Sequence, residues 1–157
     1  MQKVTTFLWF DDNQAEEAAD HYISVIGGDS RVLEVTRWTE AGPGEAGSVM
    51  TVRFQLDGTE YIAFNGGPAG FSFDESVSLS VDCASQEEAD ELWDRLTADG
   101  GQESQCGWLK DRFGVSWQII PPGLGGALTD PDPEKAARAM KAMLGMKRLD
   151  IEALRNA

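Results

Sequence analysis

The sequence predicts an α+β fold in which a strand–helix–three-strand (βαβββ) unit occurs twice and a helical tail follows. Apolar residues recur first at alternate positions, as in strands, and then at helical spacing, and this order returns in the second half of the chain. The segments FDDNQAEEAAD and VDCASQEEAD also align, so that Thr5 falls on Ser76. An internal duplication of this kind predicts that both halves adopt similar structures.

The first repeat is predicted to span residues 3–66. Its first strand is Val4–Phe10, and the helix that follows ends at Gly27-Gly28. The buried side of this helix follows from the spacing of its apolar residues, which are Ala15, Ala18, Ala19, Tyr22 and Ile26. Three strands complete the repeat: Ser30–Trp38, Ser48–Leu56 and Thr59–Asn65, with Asp57-Gly58 as the turn between the last two.

The second repeat is predicted over residues 75–121. Ser76–Cys83 alternates serines with apolar residues, which is typical of a strand with one polar and one apolar face. The segment SQEEADELWDRLTADGG then predicts a helix whose inward residues are Ala89, Leu92, Trp93 and Leu96. The remaining strands are Gln102–Ser104, Cys106–Asp111 and Val115–Ile120, with a turn at residues 112–114. Together the two repeats predict a single domain over residues 1–122.

Residues 123–157 predict a helical extension. Pro133 is placed to begin a helix, and Asp150 is placed to cap a final turn. The helix carries one apolar stripe, which consists of Ala136, Ala137, Met140, Met143 and Leu144. Because the extension follows a complete pair of repeats, we expect this stripe to pack across a homodimer interface or over an edge strand.

The charge of the chain argues against some partners. There are 27 acidic side chains against 13 basic ones, a formal net charge of -14, so nucleic acid and anionic membranes are not expected as partners. No stretch approaches the roughly 20 apolar residues that cross a bilayer, and the start of the chain lacks the layout of a signal peptide. Cys83 and Cys106 fit free thiols in a reducing compartment, which predicts a cytoplasmic protein.

Four segments carry a resemblance to a known family: FLWFDDNQAEEAADHY, IAFNGGP, VDCASQEEADELWDRL and CGWLKDRFGVSWQIIP. They resemble the PhnB-like branch of the vicinal-oxygen-chelate superfamily, which includes glyoxalase I, extradiol dioxygenases and bleomycin-resistance proteins. The resemblance implies two curved mixed sheets, with the helices outside and a cavity on the concave side. The branch is often labelled 3-demethylubiquinone-9 3-methyltransferase. No GxGxxG follows a strand here, so methyltransferase activity is not expected.

Metal-dependent members of the superfamily hold a divalent metal at four positions, which the resemblance places at Thr5, Ile62, Ser76 and Gln118. Hydroxyls, a carboxamide and an isoleucine make a poor cage, because none of them carries the negative charge that a divalent cation prefers. We therefore predict no cofactor and no metal site, and a divalent metal is disfavoured. Alternatively, the protein is a metal-dependent enzyme of the glyoxalase or dioxygenase type that uses other ligands, such as Glu60.

A cavity for a small, partly apolar organic molecule is expected where strand alternation brings hydrogen-bonding and aromatic side chains to one face. Its predicted lining is Thr5, Phe7, Trp9, Ile62, Ser76, Ser78, Cys106, Trp108, Ser116 and Gln118. Alternatively, the hydroxyl groups only satisfy one another and buried water. Whether the protein converts its ligand, or only sequesters it as drug-binding members of the superfamily do, stays open.

Two residues are candidates for catalysis. Glu60 is placed to face the cavity, where desolvation would suit a general base, although exposure beside the turn is the alternative. Cys106 is predicted on a strand whose same face carries Trp108 and Lys110, an arrangement that would favour a reactive thiolate. The lone histidine, His21, is predicted away from the cavity, so a buried or ligand-adjacent thiol is the alternative for Cys106. Lys110, Asp111 and Arg112 are predicted as the solvated end of a hairpin.

Overall fold

The computed structural model describes residues 2–157 and divides the chain into two compact units, Met1–Phe73 and Asp74–Ala157. Each unit contains one four-stranded mixed sheet and the helix that connects its first two strands. The predicted pair of βαβββ repeats is therefore confirmed. Among the helices of residues 2–157, none combines the length and the apolar character needed to cross a membrane.

The first unit begins with strand β1 (Thr6–Phe10) and helix α1 (Ala15–Ile26), and strands β2 (Arg31–Arg37), β3 (Val49–Leu56) and β4 (Thr59–Asn65) follow. The strand order is β1-β4-β3-β2, in which β1 and β4 are parallel and the other pairs are antiparallel. Helix α1 packs on the side of the sheet that carries Phe54, whose ring lies 6.4 Å from that of Tyr22. The alternation of the strands therefore puts Phe7, Trp9, Ile62 and Phe64 on the face away from α1.

The second unit repeats this arrangement with β5 (Ser78–Asp82), α2 (Gln86–Thr97), β6 (Gln102–Glu103), β7 (Trp108–Lys110) and β8 (Ser116–Ile120), in the order β5-β8-β7-β6. The predicted inward residues of α2 are all buried: Ala89, Leu92, Trp93 and Leu96. The Trp93 indole donates to the carboxylate of Glu103 at 3.3 Å, so this side of the sheet faces α2. The opposite face carries the serines of β5.

The helical tail consists of α3 (Leu124–Leu128), α4 (Pro133–Leu144) and α5 (Ile151–Arg155). As predicted, Pro133 begins α4, and the Asp150 side chain caps α5 by accepting from the Ala153 amide. In the single chain Ala139 of α4 is buried, whereas Met140 and Leu144 of the predicted stripe are 41% and 61% exposed. Packing of the stripe across a homodimer interface stays a prediction.

The tail is attached to the second unit by hydrogen bonds that the sequence does not reveal. The amides of Cys106 and Gly107, in the turn before β7, donate to the carbonyls of Met146 and Lys147, each at 2.8 Å. The side chain of Gln86 donates to the Leu149 carbonyl and accepts from the Ile151 amide, both at 2.9 Å. Residues 145–151 therefore form part of the packed structure of this unit.

Candidate functional site

The face of the second sheet that lies away from α2 carries two rows of polar and aromatic side chains. Strand register puts Gln102, Lys110, Ser116 and Ser78 side by side across β6, β7, β8 and β5. The next row contains Trp108, Gln118 and Ser80. We call the set Ser78, Ser80, Trp108, Lys110, Ser116 and Gln118 the polar face.

The contacts of the polar face leave one buried group unsatisfied. The Gln118 amide nitrogen donates to the Ser78 hydroxyl at 3.0 Å, and the Lys110 ammonium lies 2.6 Å from a carboxylate oxygen of Glu75. Ser116 is only 1% exposed, and its hydroxyl makes no hydrogen bond. Among residues 2–157, it is the one buried side-chain oxygen or nitrogen atom without a partner. Such a group costs stability unless something else satisfies it.

Ser116 also lines a cavity of about 110 Å³. The residues that line it are Glu75, Gln102, Glu103, Ser104, Trp108, Leu109, Lys110 and Ser116. At ~30 Å³ for each water molecule, the volume corresponds to about four waters, enough for one small polar group of a ligand. Trp108 and Ser116 were predicted to line a cavity. Lys110 and Glu75 were not, although the position of Lys110 two residues after Trp108 puts it on the same face.

Ser76 differs from the other predicted residues of the second repeat because it lies outside β5 and is exposed. Its hydroxyl donates to a carboxylate oxygen of Asp74 at 2.5 Å, and its amide donates to the same oxygen at 2.9 Å. These hydrogen bonds lower the pKa of Asp74, the side-chain one most strongly. The Asp74 carboxylate therefore holds Ser76 in the segment before β5.

In the first unit, the face away from α1 is aromatic. The rings of Phe7 and Trp9 lie 5.5 and 4.9 Å from that of Phe64, and the Trp9 indole donates to the Gly67 carbonyl at 2.8 Å. Ile62 lies beside Phe7 in the strand register. Thr5 precedes β1 and is half-buried. This surface offers stacking and apolar contact but few hydrogen-bonding groups.

A second cavity, of about 210 Å³, lies elsewhere in the first unit. Asn65, Trp38 and Gly66 are among its lining residues. The Asn65 side chain is already engaged, because its oxygen accepts from the Ala15 amide at 2.9 Å and its nitrogen donates to the Val49 carbonyl at 3.1 Å. This side chain ties α1 to the sheet, which makes the cavity a weaker candidate than the one beside Ser116.

Glu60 is engaged in an ion pair. Its carboxylate lies 3.1 Å from the Arg53 guanidinium, and Arg53 also lies 4.0 Å from Glu34. The backbone of Glu60 makes two hydrogen bonds with the Gln2 side chain: its amide donates to the side-chain oxygen, and its carbonyl accepts from the side-chain nitrogen. The Glu60 side chain is paired with Arg53 and 31% exposed, so its position fits the predicted exposure beside the turn better than a desolvated general base.

The prediction that Cys106 lies on a strand is wrong. Strand β7 begins at Trp108, and Cys106 occupies the preceding turn with a φ of 57°. Its thiol donates to the Met143 carbonyl at 3.5 Å, so the side chain points to the end of α4. The other cysteine, Cys83, is buried, and desolvation raises the pKa of its thiol to about 11. Cys83 is therefore a poor nucleophile at neutral pH.

The prediction that Asp111 belongs to a solvated hairpin end is wrong, because Asp111 is only 3% exposed. One carboxylate oxygen accepts from the amides of Phe113 and Val115, at 2.9 and 3.1 Å, and the other accepts from the Trp117 indole at 2.8 Å. The signal in the sequence was the spacing Asp-x-x-Gly from Asp111 to Gly114, which is typical of a type I turn. Asp111 therefore fixes the hairpin that presents Lys110 and Ser116.

Comparison with known proteins identifies the family. The sequence model of the family described as 3-demethylubiquinone-9 3-methyltransferase matches residues 2–120. The PhnB protein from Bacillus cereus is 35% identical, and the match covers 76% of this chain and 98% of that chain with a TM-score of 0.69. The chain belongs to this PhnB-like family. No curated protein matches the sequence.

More distant structures show the fold of the PhnB-like protein. Protein PA1353 from Pseudomonas aeruginosa is 22% identical over 74% of this chain and 95% of that chain, with a TM-score of 0.57. The fosfomycin resistance protein FosX from Listeria monocytogenes is 14% identical over 82% of this chain and 97% of that chain, with a TM-score of 0.54. The predicted glyoxalase/bleomycin-resistance fold is therefore confirmed.

The residues of this PhnB-like chain do not fit the metal that its fold superfamily implies. In the first unit, Ile62 has no lone pair and lies beside Phe7. In the second, the Ser76 hydroxyl is bonded to Asp74, and the Gln118 amide is bonded to Ser78. Within residues 2–157, no three His, Cys, Asp or Glu side chains are grouped as metal ligands. The four positions lack the carboxylates and imidazoles that hold divalent cations.

Proposed function

We propose that this PhnB-like protein binds a small organic molecule at the polar face of its second sheet. The observation that carries the proposal is the buried hydroxyl of Ser116, which has no partner and borders a cavity. An unsatisfied buried polar group costs about 1–3 kcal/mol, and a ligand that bonds to it recovers part of that cost on binding. The half-buried ring of Trp108 in the same cavity supports an apolar part of the ligand.

The proposed binding needs no metal. Ser116 and Lys110 supply hydrogen-bond donors, and Gln118 keeps a carbonyl oxygen free to accept when its nitrogen is bonded to Ser78. Methyl transfer is not part of the proposal, because both sheets are mixed and lack the parallel strand-to-helix arrangement of a Rossmann-type cofactor site. The proposed protein is a cytoplasmic homodimer. Each copy either binds its ligand or also converts it.

Ser116→Ala tests the proposal through two opposite effects. The variant is expected to be more stable than the wild type by up to about 1 kcal/mol, because it removes an unsatisfied hydroxyl. It should also bind less tightly, by about 5–10-fold, every compound that uses this hydroxyl. Binders are first found with the wild type by thermal-shift screening of small organic molecules, and urea unfolding and calorimetry then compare the variants.

Ser78→Ala is the matched control, since it removes a hydroxyl that already accepts a hydrogen bond from Gln118. It is expected to lower stability rather than raise it. The proposal fails if Ser116→Ala is destabilising and every binder keeps its wild-type affinity. For confirmed binders, mass spectrometry of the bound and released compound distinguishes conversion from sequestration.

Gln118→Glu tests the metal-free part of the proposal. The new carboxylate is expected to raise the affinity for Mn²⁺ or Zn²⁺ by less than about tenfold, because Ile62, Thr5 and Ser76 still supply no anionic ligand. Calorimetric titration of both proteins with each metal, after removal of bound metals with a chelator, measures the change. A Kd of about 1 µM or lower in the variant would show that other ligands complete a site.

A further inference from the structure

We infer that the ligand of the polar face carries a carboxylate, and that Glu75 competes with this group for Lys110. The inference rests on the proposed function and names the chemical class of the ligand. It comes from the arrangement of donors around the cavity of the second unit, where Lys110 and Ser116 are register partners on neighbouring strands.

Two of the residues that line the cavity carry hydrogen-bond donors. The Lys110 ammonium has three N–H donors and no acceptor, and the Ser116 hydroxyl supplies one more. Because the side chains of register partners lie next to each other on one face, a single carboxylate can accept from both groups, one with each oxygen. Charge-assisted hydrogen bonds of this kind are about twice as strong as neutral ones. A neutral carbonyl would bond to the same donors without that gain.

The Glu75 carboxylate forms an ion pair with Lys110. Its oxygen lies 2.6 Å from the ammonium, and the hydrogen bond from Lys110 is the largest cause of the lowered pKa of Glu75. The residue precedes β5 and its side chain is 61% exposed. An exposed ion pair of this type contributes only about 0–1 kcal/mol, so the side chain of Glu75 can leave at low cost. A ligand carboxylate can therefore take its place.

The chain as a whole carries a net charge of -14, which disfavours an anionic ligand. An anion must therefore be selected by charges close to the cavity. The net charge repels anions at long range and slows their approach. Within about a Debye length the nearest charges dominate. Once Glu75 has moved away, the Lys110 ammonium is the charge on the polar face, because the Glu103 carboxylate accepts from the Trp93 indole on the α2 side of the sheet. The nearby carboxylate of Asp74 is already hydrogen-bonded to Ser76. The ligand is thus expected to be a small organic acid whose apolar body lies against Trp108.

Benzoate and benzamide provide a matched pair of probes, since they differ in charge but have similar shape. Calorimetry and NMR titration of the full chain are expected to show that benzoate binds more tightly than benzamide by about fivefold or more. Glu75→Gln should strengthen benzoate binding by about 2–5-fold and leave benzamide unchanged. Lys110→Met should weaken benzoate binding at least about tenfold.

Glu91→Gln is the control for net charge, because it removes one exposed carboxylate from α2, on the other side of the sheet. It is expected to leave both affinities unchanged. Benzamide binding as tight as benzoate, unchanged benzoate binding in Glu75→Gln, or no benzoate binding even in Glu75→Gln would each overturn the inference. The proposed function survives these results if a neutral compound from the thermal-shift screen binds in a manner that depends on Ser116.

Discussion

Replacement of Asp111 by alanine is expected to lower the free energy of unfolding of the second unit by about 3–5 kcal/mol. The carboxylate is buried and accepts hydrogen bonds from the amides of Phe113 and Val115 and from the Trp117 indole. Alanine leaves all three donors without this acceptor. Urea unfolding followed by circular dichroism and tryptophan fluorescence measures the loss.

Three further variants separate the charge of Asp111 from its hydrogen bond to Trp117. Asp111→Asn keeps one acceptor oxygen, so it should destabilise by less than the alanine variant does. Trp117→Phe removes the indole donor that lies 2.8 Å from the carboxylate, and the double variant Asp111→Ala/Trp117→Phe should lose less than the sum of the single losses. Additive losses, or a loss below about 1 kcal/mol for Asp111→Ala, would contradict the role assigned to the carboxylate.

The effect of Asp111 extends to the candidate site. The hairpin that Asp111 holds places Lys110 and Ser116 next to each other at the edge of the cavity. A destabilised hairpin should therefore bind benzoate less tightly even at temperatures where the protein is still folded. Lys110, Asp111 and Arg112 are consecutive in the sequence, yet they differ in role: Lys110 faces the cavity, whereas Asp111 anchors the turn.

The helices and strands could be predicted from the sequence because their signals are local. Alternation of Ser78 and Ser80 with Leu79 and Val81 follows from the two-residue repeat of a strand. The buried residues of α2 likewise follow from helical spacing. The buried face of α2 therefore follows from local spacing without long-range information.

The register between strands could not be predicted in the same way. Gly58 and Gly114 precede corresponding strands of the two repeats, but β4 begins directly after Gly58, whereas β8 begins two residues after Gly114. The sheet consequently pairs Gln118 with Ser80, and Ser76 lies outside the sheet. Since β5 and β8 are parallel and far apart in sequence, no turn fixes their register. The four metal-ligand positions that the resemblance implies depend on this register, and they stay a prediction.

The position of Cys106 also required tertiary information. Its φ of 57° is uncommon for a residue with a side chain, and it is maintained by backbone hydrogen bonds from the turn to the tail. No local pattern shows that residues 146 and 147, about 40 positions later, supply the acceptors. The helical tail, through the segment between α4 and α5 and the Met143 carbonyl, therefore fixes the position of the Cys106 thiol.

Gly107→Ala is expected to lower the free energy of unfolding of the second unit by about 2–4 kcal/mol. Gly107 has a φ of 83°, and an added Cβ would lie 2.8 Å from Leu149 Cδ1 and 3.1 Å from the Ile119 carbonyl oxygen. Its amide donates to Lys147, and its carbonyl accepts from the Ile119 amide. Alanine thus strains the turn at the point where tail and sheet meet.

Two glycines of the same unit separate the causes of this loss. Gly100→Ala has a positive φ of 112° but no atom within 4 Å of the added Cβ, so it measures backbone strain alone, about 1–2 kcal/mol. Gly126→Ala, within α3, has neither a positive φ nor a close neighbour, and it should be neutral or stabilising. Hydrogen exchange should show faster exchange at the Cys106 and Gly107 amides in Gly107→Ala only. The carbonyls of Met146 and Lys147 accept from these two amides. Unchanged exchange at the two amides in Gly107→Ala would mean that the attachment of the tail does not depend on this turn.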